Sequence, residues 1–318
     1  MFSAVHTVDI ALALISVLLC WFISMMTLFG VKMKTLQAYK MVFLINAFVD
    51  LMYSVNNIVV LMSMTYGVKV VFAIVSNPMI PGTPCSTRIA IGTQLFCMFL
   101  SLNVIPLQFM FRYGIIRGRP FSTLQICGVL FLIVLSAVYH GVFTAMAYLP
   151  RTEKYDAILH QVLETNQSLP LPSYLAGDLG TTGMVMQLIN VSINTCVIYG
   201  SIIYFVQKSK KSVTLKCDFA VISKSTVKLQ RQMTTLLYAQ ATLAGVQSKY
   251  LGDVLTILVH TPPAFNCISI IVCVPAYRRV TKRALNFARS VVGTNSAQRS
   301  HVSSTLGQNS GRISTSKR

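Results

Sequence analysis

The chain has 318 residues, of which 54% are hydrophobic and 11% charged, and it carries a net charge of +19 with a mean hydropathy of +0.63. A soluble domain has ~25% charged residues and needs a polar skin over its core, so 27 Lys+Arg and 8 Asp+Glu exclude a water-exposed globule and the soluble enzyme classes with it. Lipid has to replace water around most of this protein.

Membrane spans are placed where uncharged apolar stretches reach the ~20 residues that cross ~30 Å of hydrocarbon. The first runs Ile10–Phe29 and lacks a basic leader or a small-residue cleavage site, so it reads as a retained helix. The second, Met41–Met64, carries one acid, Asp50. Ile89–Phe111, Leu124–Leu149 and Thr182–Gln207 follow as the third, fourth and fifth spans. Beyond them lie a short sixth, Gln232–Ser248, a turn around Lys249 and Asp253, and a seventh, Val254–Tyr277. The sixth is marginal in length. Because the segments before Met233 and after Tyr277 are both strongly basic, they belong on one side, which requires two crossings between them and seven in all.

Charge asymmetry sets the orientation. With the amino end outside, 22 of the 27 Lys and Arg fall in cytoplasmic segments, chiefly Lys208–Arg231 and the tail after Tyr277. The expected fold is an all-α seven-transmembrane bundle over residues 1–289 with its carboxyl end inside. A Ser/Thr-rich tail, 290–318, is expected to be disordered. The bases are divided among four segments beside helix ends, so anionic inner-leaflet lipid is the expected partner and nucleic acid is not. The fourth connection, Pro150–Gly180, contains Asn166-Gln167-Ser168, an N-glycosylation acceptor on the outer side. A second acceptor tripeptide, Asn190-Val191-Ser192, sits within a span and should be silent.

The eight cysteines lie mostly in apolar runs and imply no disulfide framework. The five histidines are far apart and lack metal-ligand spacing, and there is neither a phosphate-cradling glycine loop nor a nucleophile motif. No enzyme, metal or cofactor is expected.

Asp50 is the one acid at depth, ~14 Å from the basic boundary at Lys40, where an unpartnered charge is expensive. Ser101 lies eleven residues before Arg112, three helical turns or ~16 Å in, at a similar level. Asn266 on the seventh span comes within a few residues of that depth. Asp50, Ser101 and Asn266 are therefore candidates for a polar switch holding water or a sodium ion. The plainer reading is a protonated aspartic acid bonded to neighbouring helices. Arg112 reads either as a charged handle shared between helix ends and a partner protein or as an interfacial base that sets orientation. Gln94, Phe96, Asn103, Gln187 and Asn194 are polar or pocket-lining positions in the outer halves of the third and fifth spans, with Gln94 and Gln187 carried as ligand contacts. Ordinary bonding between helices accounts for them equally. Pro106 and Pro275 are expected to distort their helices.

Several local patterns match a known group. Pro106-Leu107-Gln108-Phe109-Met110-Phe111-Arg112-Tyr113 ends the third span, Lys228-Leu229-Gln230-Arg231-Gln232 leads into the sixth, and Pro263-Ala264-Phe265-Asn266 precedes the seventh-span ending Ala276-Tyr277-Arg278-Arg279. Asn46 and Asp50 in the second also fit. Together they resemble the nematode serpentine chemoreceptors of the Str superfamily, closest to its Str and Srd classes, from about Val8 to Arg283. The resemblance implies a G-protein-coupled receptor that detects a small odorant or soluble chemical in the cilium of a sensory neuron. It also implies that Arg112 and Tyr113 act in coupling to a heterotrimeric G protein. Relative to that group the sixth span and its outer loop look shortened, and Pro150–Gly180 has no cysteine to tie to Cys85. Two alternatives stay open: a seven-helix transporter, and a truncated, nonfunctional member of the same group.

Overall fold

The computed structural model describes residues 2–30, 34–117, 119, 121–163 and 171–216, and beyond them only 263, 267, 268, 271, 281, 282 and 286. Contacts divide the chain into Met1–Ser269 and Ile270–Arg318; residues 271, 281, 282 and 286, all helical, are the described part of the second unit. Asn166, Asn266, the sixth span, most of the seventh and the 290–318 tail lie outside the described residues.

Five helices are long and apolar enough to cross a membrane. They are α1 (Phe2–Met25, continued by a π-helical turn, Met26–Gly30), α2 (Lys34–Val60), α3 (Pro84–Arg117), α4 (Thr123–Ala147) and α6 (Thr182–Lys216). α3 is the hub, packing against α2, α4 and α6. It runs unbroken through Pro106, whose missing N–H leaves the carbonyl four residues earlier without its usual donor. α4 begins where Ser122 and Gln125 satisfy each other's backbone: Ser122 Oγ accepts from the Gln125 N–H at 3.3 Å and Gln125 Oε1 accepts from the Ser122 N–H at 3.0 Å. The outward faces of α4 and α6 are apolar, with Phe131, Leu132, Ile193 and Val197 exposed, as helices bathed in lipid require.

α3 and α4 approach closely because α4 shows small residues to its neighbour. Ala137, Gly141 and Ala145 recur every four residues and are buried. A Cβ on Gly141 would lie 3.0 Å from Phe96 Cβ and 3.1 Å from the Gly92 carbonyl oxygen.

The connections hold structure that apolar run length did not reveal. The second span was expected to reach Met64; the helix instead ends at Val60, and Leu61, at φ 47°, turns the chain into a strand. β1 (Met62–Gly67), β2 (Val70–Val75) and β3 (Ser173–Asp178) form an antiparallel sheet in that order, with Met62 opposite Val75 and Val70 opposite Asp178. The fourth connection contains α5 (Glu153–Leu163) as well as β3.

Strand alternation assigns the two faces of the sheet. Ala73, Val75, Met62 and Leu175 join the core formed with Ala90, Ile91 and Leu95 of α3. Val70, Phe72, Ile74, Tyr174 and Ala176 face the other way, onto Tyr155 and Leu159 of α5. The sheet is thus sandwiched between the helical bundle and α5, and β2 is buried on both sides.

Candidate functional site

The second and third spans meet along a polar stripe. Gln94, Ser101 and Gln108 are spaced by seven residues on α3, so they share one helix face, and each bonds a side chain of α2. At one level Ser101 Oγ donates to Asp50 Oδ1 at 3.0 Å, Asn46 Nδ2 donates to Asp50 Oδ2 at 2.8 Å, and Gln108 Nε2 donates to Asn46 Oδ1 at 2.5 Å. All four are buried, Asp50 at 1% exposure. Both carboxylate oxygens therefore have protein donors, which is how an acid is accommodated where water is scarce. Ser54 Oγ adds a bond to the Asp50 carbonyl at 2.8 Å.

Two turns further out, ~10 Å away, lies a second layer. Gln94, 1% exposed, accepts from Asn56 Nδ2 through its Oε1 and donates from its Nε2 to Asn57 Oδ1. Across the bundle Gln187 on α6, also 1% exposed, donates to Thr144 Oγ1 on α4, while among the described residues its buried Oε1 has no partner. Thr144 passes its own proton to the His140 carbonyl at 2.6 Å, and His140 Nδ1 lies 3.3 Å from Asn190 Nδ2 with its ring stacked on Phe99. Asn103 ties three helices, donating to Ser136 Oγ and accepting from Asn194 Nδ2, both at 3.3 Å.

Of the residues singled out in the sequence, Asp50 and Ser101 are brought into direct contact. Gln94 and Gln187 sit on different helix pairs, each engaged with an amide or hydroxyl neighbour. Arg112 lies on α3 five positions before its last residue. Tyr113, next to it, meets Phe205 of α6 with ring centroids 6.1 Å apart. Beyond the polar stripe, toward the carboxyl ends of α3 and α6, Phe109 packs with Ile198, Ile202 and Val206 in one apolar contact. Gln108, Asn56 and Asn57 were not singled out. The seven-residue spacing Gln94–Ser101–Gln108 is the signal that finds Gln108; the tandem asparagines need the structure, because only their distance to Gln94 separates them from surface polarity.

A charged and aromatic cluster fixes α5 to the sheet. Tyr174 donates to Asp156 Oδ1 at 2.5 Å, Arg151 Nε lies within 3.0 Å of both Asp156 oxygens, and Tyr155 donates to Asp178 Oδ2 at 3.0 Å. Hydrogen bonding from the Gly180 N–H, then from Tyr155, holds the Asp178 carboxyl below its ordinary range. Burial, then the bond to Asp156, pushes the Tyr174 phenol up, and burial alone takes Tyr148 to about 12. Cys85 is a free, exposed thiol. Among the described residues no group of His, Cys, Asp and Glu is arranged to hold a metal ion.

The arrangement is a membrane bundle with two buried polar layers, a sheet covered by α5 and an aromatic contact between α3 and α6. Its backbone is similar to the crystal structure of squid rhodopsin, with a TM-score of 0.61 at 10% identity, covering 91% of this chain and 82% of that one. No curated protein matches the sequence. Residues 5–246 match the family described as serpentine type 7TM GPCR chemoreceptor Str. The chain is accordingly a multi-pass membrane protein with a rhodopsin-like seven-helix fold, and it belongs to the Str family of serpentine chemoreceptors.

Proposed function

We propose that this receptor sits in the plasma membrane of a sensory neuron, in its cilium, with its amino end outside and its carboxyl end in the cytoplasm. There it detects a small odorant or soluble chemical cue and signals through a heterotrimeric G protein. The observation that carries the reading is the pair of polar layers joined by α3. The outer layer holds Gln94 and Gln187, the latter with a buried acceptor to which no described residue donates. The inner layer holds Asp50 and Ser101. A ligand that bonds the outer amides changes the register of α3 against α4 and α6. The shift then reaches the Asp50 bonds and the Tyr113–Phe205 contact, because packed helices move as units between discrete arrangements. Arg112 and Tyr113 stand where a G protein would read that shift, with the basic segment Lys208–Arg231 as docking edge. Asp50, Ser101 and Asn266 are the proposed switch, and Asn166 is the proposed glycosylation site on the outer side.

The test is second-messenger output in a heterologous cell exposed to a panel of volatile and water-soluble small molecules, with tracer flux measured in the same cells. Ligand-dependent output without flux supports the reading, whereas flux without output defeats it. Removal of N-glycans by an endoglycosidase should increase mobility on a gel for the native chain and leave Asn166→Gln unchanged.

A further inference from the structure

Cys20 on α1 and Cys267 are both enclosed, at 0% and 1% exposure, and their sulfurs lie 3.2 Å apart although 247 positions separate them in the chain. A thiol that only fills apolar volume can present its sulfur to any neighbour; here the two present theirs to each other. A disulfide bond is ~2.05 Å long, so ~1.1 Å of closure is needed, within the reach of small side-chain rotations. A shared metal fits less well. A tetrahedral zinc with bonds of ~2.3 Å holds its sulfurs ~3.75 Å apart, and among the described residues no third ligand completes such a group.

We propose that Cys20 and Cys267 are a modification site: a neutral two-electron oxidant of the peroxide class joins them in an intramolecular cross-link. One sulfur attacks a peroxide oxygen, the O–O bond breaks, and a sulfenic acid and one water result. The second sulfur then displaces the hydroxyl of that sulfenic acid, forming the S–S bond and releasing the second water. Two thiol hydrogens leave in the waters and the peroxide is reduced. A sulfur walled off from water ionises rarely, so the reaction is slow and open only to reagents that dissolve in the bilayer. Once formed, the bond ties α1 to the segment carrying Cys267 and restrains any movement of one against the other.

The experiment uses the full-length receptor in phosphatidylcholine nanodiscs, treated with hydrogen peroxide, blocked with N-ethylmaleimide and digested without reductant for mass spectrometry. The expected product is a linked pair of peptides containing Cys20 and Cys267, lighter by two hydrogens than the separate peptides and dominant over every other cysteine pairing. It should be lost in Cys20→Ser and in Cys267→Ser and retained in Cys97→Ser. Recovery of Cys20 and Cys267 as separate maleimide adducts or sulfinic acids, under exposure long enough to oxidise the likewise buried Cys97, overturns the proposal. So does a dominant link between either one and a different cysteine. The wild-type measurement decides the matter even where a serine variant fails to fold.

Discussion

Ser101 reaches from α3 to donate its hydroxyl to Asp50 Oδ1 on α2 at 3.0 Å, and neither residue is more than 4% exposed. Removing the hydroxyl leaves a buried carboxyl oxygen short of a donor in a place water does not readily refill, a loss of about 1–3 kcal/mol. Ser101→Ala should therefore lower the thermal unfolding midpoint of the purified receptor. Asp50→Asn, which keeps the shape and can still accept from Ser101, should cost less than Asp50→Ala. An Asp50→Ala variant as stable as the native chain would show that the network contributes nothing to holding α2 on α3.

Two glycines on α4 supply an internal comparison. A Cβ at Gly141 meets Phe96 Cβ at 3.0 Å and the Gly92 carbonyl at 3.1 Å, whereas a Cβ at Gly128 meets nothing within 4 Å. Gly141→Ala should destabilise by about 1–3 kcal/mol through overpacking and reduce surface delivery. Gly128→Ala should be neutral or stabilise by up to about 1 kcal/mol, since alanine loses less backbone freedom in a helix. Equal effects at the two positions would contradict the close α3–α4 approach.

How far the sequence discloses this molecule depends on which physical signal each part carries. Spans one to five are readable because lipid demands long uncharged runs, and Leu124–Leu149 differs from α4, Thr123–Ala147, by two residues at most. The second span overshoots to Met64 because Met62-Ser63-Met64 is apolar enough to extend it, while the actual stop is a single backbone turn at Leu61. The sheet is hidden for a related reason. β2, Val70-Val71-Phe72-Ala73-Ile74-Val75, is covered on both faces and so lacks the alternation that marks a half-buried strand. At the site, depth arithmetic along two helices is enough to put Asp50 and Ser101 at one level. That Gln94 bonds Asn56 and Asn57 while Gln187 bonds Thr144 depends on helix rotation, and one sequence does not fix rotation.

The hairpin between β1 and β2 turns through Val68 and Lys69 at φ 43° and 65°. Left-handed backbone costs an L-residue about 1–2 kcal/mol, and a β-branched valine is among the worst occupants. Val68→Asn with Lys69→Gly, the pair such two-residue turns favour, should stabilise the receptor by roughly 1–2 kcal/mol. Thermal unfolding of the double variant in detergent checks this, and a lower midpoint would argue against the turn.

The sheet and its α5 cover should have a pH window with two distinct edges. Asp178 has its carboxyl held low by the Gly180 N–H and Tyr155, so its contribution is complete above the ordinary carboxylate range and is lost as pH falls through the lowered value. Tyr148 is an acid whose neutral form is favoured by burial, with its phenol taken to about 12. Its contribution is present below the ordinary tyrosine value of ~10 and is lost as pH rises toward the shifted one. Thermal unfolding followed across pH should show both limbs. Asp178→Asn should flatten the acid limb, and Tyr148→Phe should reduce the alkaline limb and leave the acid limb in place. Loss of the acid limb in Tyr148→Phe would contradict the assignment of that limb to Asp178.

At the inner end, the Tyr113 and Phe205 rings sit 6.1 Å apart between α3 and α6, next in sequence to Arg112. Aromatic pairs of this kind contribute about 0.5–1.5 kcal/mol beyond their area. Losing the pair loosens α3 from α6 without touching the polar layers. Phe205→Ala should therefore raise ligand-independent second-messenger output while shifting the unfolding midpoint only slightly. Arg112→Ala, which removes the charge proposed to meet the G protein, should leave surface abundance intact and abolish ligand-dependent output. The two variants separate opening from coupling: the first changes the baseline and the second removes the response. Unchanged signalling in Arg112→Ala at normal surface abundance would remove Arg112 from the coupling role and leave it an interfacial base that orients the helix.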